Sequence, residues 1–72
     1  MNQRQKNKFH KAIKSLSDLI DELNNNNKNG DFYTLVYSVG DSRFHIKKQD
    51  KNFNTDIEEQ DNTYFSEFYM EE

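Results

Sequence analysis

Phe9, Ile13, Leu16, Ile20 and Leu23 recur in steps of 4, 3, 4 and 3. That rhythm puts them on one face of an amphipathic helix, predicted over about residues 5–24, with Ala12 and Leu19 widening the stripe. The same seam suits a helix–helix dimer, although two heptads are too short to specify a coiled coil. From residue 32 the period changes to two. Tyr33, Leu35, Tyr37 and Val39 alternate with Phe32, Thr34, Val36 and Ser38, a β-branched and aromatic run that reads as a strand. Gly40-Asp41 supplies a tight turn, and residues 43–48 return as a second strand with Phe44 and Ile46 on its apolar side. Phe53, Thr55 and Ile57 alternate behind the turn signal Asp50-Lys51-Asn52 and suit a third strand. Thr55-Asp56-Ile57-Glu58 is equally a capping-box pattern for a helix start. Near the end, Tyr64, Phe65, Phe68 and Tyr69 at i, i+1, i+4 and i+5 predict a short helix after the N-cap candidates Asp61, Asn62 and Thr63.

The fold class is therefore α+β: an N-terminal amphipathic helix, an antiparallel β-hairpin or three-stranded meander, and a short C-terminal helix. All 72 residues form a single domain, with 24–31 as a polar loop and 1–5 expected to fray. Asn24 to Asn27, Asn29 and Gly30 end the helix because Asn and Gly accept left-handed backbone.

Composition sharpens this picture in two ways. Only 32% of the residues are apolar, and ten are aromatic, so rings must supply much of the core. No cysteine is present, which removes disulfides, thiolate metal sites and cysteine nucleophiles, and favours a reducing compartment. No run approaches the length of a membrane span, and residues 1–6 do not resemble a signal peptide, so the expected location is cytoplasmic.

Charge is segregated along the chain. Residues 1–14 hold Arg4, Lys6, Lys8, Lys11 and Lys14 and no acid. Residues 49–72 hold eight acids and only Lys51, so the net charge of −3 conceals two oppositely charged ends. On the helix this order opposes the macrodipole, and Arg4/Lys8 and Lys8/Lys11 are like-charge neighbours.

Catalytic signatures are missing. Gly30 and Gly40 are too few for a phosphate loop, His10 and His45 lack metal-ligand spacing, and no serine lies in a nucleophile elbow. No catalytic residue, cofactor or metal ligand set is assigned. The informative feature is the acidic and aromatic final third, where Asp56, Glu58, Glu59, Asp61, Glu67 and Glu71 are interleaved with Tyr64 and Phe68. Such carboxylates can occupy a basic cleft that normally receives nucleic acid, with rings as anchors.

The acidic set from Asp50 to Glu72, the pairs Tyr64-Phe65 and Phe68-Tyr69, and the Asn24–Asn27 run together resemble small phage-encoded inhibitor proteins, anti-CRISPR proteins and other DNA mimics. The resemblance implies a non-enzymatic inhibitor acting in a host cytoplasm on a protein partner with a basic cleft, such as a nucleic-acid enzyme or regulator. Two other readings compete. A nucleic-acid-binding regulator would contact phosphates through Arg4, Lys6, Lys8, Lys11 and Lys14, joined by Arg43, Lys47 and Lys48. A self-associating domain would pair through the helix stripe as a homodimer.

Overall fold

The structure, a computed structural model, describes residues 1–25, 29–65, 67 and 68. Helix α1 (Gln3–Asn25) precedes strands β1 (Phe32–Ser38), β2 (Arg43–Gln49) and β3 (Thr55–Gln60), which form one antiparallel sheet in the order β1-β2-β3. The architecture is α+β, with a three-stranded meander.

Helix α1 begins at Gln3, inside the stretch expected to fray. A reciprocal capping box fixes that start: the Gln5 amide donates to Asn2 Oδ1 at 2.8 Å, and the Asn2 amide donates to Gln5 Oε1 at 2.9 Å. Two otherwise orphaned donors are satisfied together. The helix also runs past residue 24, so the polar connector begins later than its composition suggests. Asn24 belongs to the last turn and reaches across to β1. Its Nδ2 donates to the Tyr33 carbonyl at 3.0 Å, and the Tyr33 amide donates to its Oδ1 at 2.8 Å. Gly30, at φ +78°, then turns the chain into β1, a backbone angle that a side chain would strain.

Tyr37 faces Phe44 and Leu35 faces Ile46 across β1 and β2. The loop between these strands spans residues 39–42, longer than the tight Gly40-Asp41 turn expected, and its left-handed residue is Ser42 at φ 55°. Thr55 to Glu58 enters a strand instead of a helix, because β2 offers a paired edge. The register slips between Ile46 and Lys47, leaving Glu58 as the extra residue of a bulge. Asp50 organises the intervening turn by accepting from the amides of Asn52 (2.8 Å) and Asn54 (2.9 Å).

The short C-terminal helix is not formed by the described residues 61–65; residue 66 and residues 69–72 lie outside the described part. Instead the Asp61 amide donates to the Phe44 carbonyl (3.1 Å) and the Phe65 amide to that of Ser42 (3.4 Å). Phe68 stacks on Tyr37 with centroids 3.6 Å apart, and Phe65 meets Phe44 edge-on at 5.4 Å. Ring packing on the sheet replaces helical spacing along the segment.

Helix α1 packs chiefly on β1, where Ile13, Leu16 and Ile20 gather over Leu35, and Leu16 also lines a cleft with Phe44 and Phe65. Residues 1–19 are each exposed, and no described residue is buried. A 23-residue helix spans about 34 Å, whereas seven strand residues span about 23 Å. The N-terminal half of α1 therefore overhangs the sheet. The radius of gyration is 14.5 Å, against about 11 Å for a compact chain of this length.

Candidate functional site

Both outer edges of the sheet belong to strands with different protection. Asn24 engages β1 at Tyr33. On β3, Asp56, Glu58 and Glu59 are all exposed, and no other described element packs on that strand's far side. Lys48 Nζ approaches Glu58 Oε2 at 3.8 Å, a long contact between a half-buried lysine and an exposed glutamate that neutralises little.

Asp61 continues the acidic line. The Thr63 hydroxyl and then the Thr63 amide (2.7 Å to Oδ1) hold its carboxyl below the ordinary aspartate range, so it stays charged. From Asp56 to Asp61 four carboxylates fall along about 17 Å of extended chain. Successive charges are thus roughly 6 Å apart on average, where one DNA strand carries one per about 3.4 Å of axis.

Of the other residues expected at this surface, Glu67 is exposed and Tyr64 is 64% exposed. Phe68 is engaged with Tyr37, Phe44 and Phe65, so its ring serves the fold first. Glu71 lies outside the described residues. Asp50 is committed to its turn, where the Asn54 and Asn52 amides depress its pKa below the ordinary 3.8.

The basic residues separate into three places. Arg4, Lys6, Lys8 and Lys11 project from the overhanging half of α1, and Lys14 pairs with Asp18 at 3.3 Å. Lys48 shares a sheet face with Phe44 and Ile46. Arg43 and Lys47 occupy the opposite, open face with His45, Phe32 and Val36, by strand alternation. A single patch of Arg43, Lys47 and Lys48 is thus not assembled; adjacent strand residues point to opposite faces, so Lys47 and Lys48 could not share one. Among the described residues, no ion pair joins the basic first segment to the acidic last one, and no group of three His, Asp or Glu side chains can hold a metal.

Sequence reasoning missed the Asn24–Tyr33 clamp, since nothing distinguishes Asn24 within its Asn run. It also missed the open face with Arg43, His45 and Lys47, although alternation along β1 and β2 carries that signal. Comparison of the chain with protein-family models, curated proteins and solved structures finds no match.

Proposed function

We propose that this chain is a non-enzymatic binding protein that docks its acidic β3 edge on a protein with a basic, nucleic-acid-receiving cleft. The observation that carries this reading is the exposed line Asp56, Glu58, Glu59 and Asp61, whose charge spacing is within about twofold of that of a DNA strand. Coulomb attraction would steer such an edge towards a cationic groove and weaken as salt rises. Tyr64 stands beside the line with its ring exposed, the position of an anchor. An inhibitory role in a host cytoplasm, of the DNA-mimic and anti-CRISPR type, follows if that cleft is an enzyme's.

The test compares affinity capture by the natural chain with capture by a variant carrying Glu58→Lys, Glu59→Lys, Asp61→Lys and Glu67→Lys. The natural chain should retain nucleic-acid-binding proteins that duplex DNA displaces, and the variant should lose them while its circular dichroism is unchanged. Equal capture by both chains, or no DNA-displaceable partner, rejects the reading.

Direct nucleic-acid contact is the second reading, and the open sheet face favours it. Arg43, His45 and Lys47 lie there with the exposed ring of Phe32 and no acid among their strand neighbours. A flat gel-shift titration at low salt eliminates it.

A further inference from the structure

The chain exposes 6443 Å², whereas a compact protein of 8.7 kDa exposes about 4,700 Å². The excess, about 1,700 Å², is more than the roughly 800 Å² that each partner contributes to a standard interface. Two exposed features contribute to it. One is the overhanging half of α1, with Phe9 57% and Ile13 51% exposed on one side and Arg4, Lys8 and Lys11 exposed on the other. The other is β3, with Asp56, Glu58 and Glu59 exposed and an outer edge that no described element covers. Proteins commonly protect a free strand edge with a helix.

These features are complementary in charge, yet among the described residues of one copy no ion pair joins them. We propose that they join between two copies: the basic α1 overhang of each chain lies along the acidic β3 edge of the other. The arrangement is a two-fold dimer in which one contact occurs twice. Arg4, Lys8 and Lys11, which share one face of the overhang, lie opposite Glu58, Glu59 and Asp61 of the neighbouring edge. The acids of the second copy also approach the N-terminal end of α1, which has no acid in its first turn and needs negative charge there. This pairing does not depend on the proposed function, but it covers the same edge, so a basic partner competes with the second copy.

Sedimentation equilibrium at low salt tests it with two variants. The first carries Arg4→Glu, Lys8→Glu and Lys11→Glu; the second carries Glu58→Lys, Glu59→Lys and Asp61→Lys. The natural chain should dimerise at micromolar concentration, with dimerisation at least about tenfold weaker when salt rises from about 0.1 to 1 M and the screening length falls from about 10 to 3 Å. Each variant alone should be monomeric, because its overhang and edge then repel. Mixed in equal amounts, they should form a one-to-one heterodimer in which both contacts are attractive again. A monomeric natural chain, a dimer that survives the edge reversal, or a mixture that stays monomeric each overturns the proposal.

Discussion

Asn24 occupies the place that a neighbouring strand would take. Its side-chain amide satisfies both backbone groups of Tyr33, and so ties the last turn of α1 to the start of β1. Asn24→Ala orphans a half-buried donor and acceptor at once, and should lower the unfolding free energy by about 1–2 kcal/mol in urea titrations. Asn25→Ala, on the exposed neighbour, should change it by less than about 0.5 kcal/mol. Asp50 acts through charge. Its amide donors depress the folded pKa below 3.8, so its stabilisation is full above the ordinary carboxylate range and is lost as pH falls through the lower folded value. Asp61 contributes with the same sign. Urea midpoints measured from pH 6 downward should therefore fall less steeply in Asp50→Ala than in the natural chain; parallel slopes would remove Asp50 from the account. Phe53 shows the opposite balance, with φ +66° and a ring 80% exposed at the tip of the same turn. Left-handed backbone is costly for a bulky residue and tolerated by Asn. Phe53→Asn should raise stability by up to about 1 kcal/mol, read as a higher melting temperature.

Among the elements, α1 and the β1–β2 hairpin were legible because their signals are local. The 3/4 stripe and the period-two run each fix a face before any tertiary contact forms. The last segment was not legible for the converse reason. Tyr64, Phe65, Phe68 and Tyr69 have helical spacing, but the partners of Phe65 and Phe68 lie on β1 and β2, more than twenty residues away. Spacing within a segment carries no information about rings elsewhere. Phe68→Ala should therefore weaken the hairpin and the segment together, by about 1–2 kcal/mol for a half-exposed ring that loses a stacked partner. Tyr64→Ala, at an exposed position with no ring neighbour described, should leave the urea midpoint in place. Equal effects would place the segment's hold on the sheet elsewhere than in the Tyr37–Phe68 stack. The acidic edge was legible residue by residue, since acids lie outside in almost any fold. Its alignment was not, because the bulge at Glu58 depends on the register between β2 and β3.

At the scale of the whole molecule, the shortage of apolar residues becomes a shortage of interior. Against about 12,600 Å² for the unfolded chain, folding to 6443 Å² buries about half of the surface, where a domain of this size ordinarily buries about 60%. The dependence of stability on urea follows the area exposed on unfolding. The isolated chain, held apart from other copies in about 1 M salt, should thus have an m-value at or below about 1 kcal/mol/M, the lower end for small proteins. Hydrogen exchange under the same conditions separates the regions that produce this deficit. Isolated helices shorter than about 12 residues are marginal in water, so amides in the first three turns of α1, which no strand supports, should exchange nearly as fast as in an unfolded peptide. Amides bonded between β1 and β2 should be the slowest, because that hairpin is clamped by Asn24 on one side and covered by the aromatic cluster at its end. Uniform protection along α1 with an ordinary m-value would mean that the N-terminal half is held down on its own sheet.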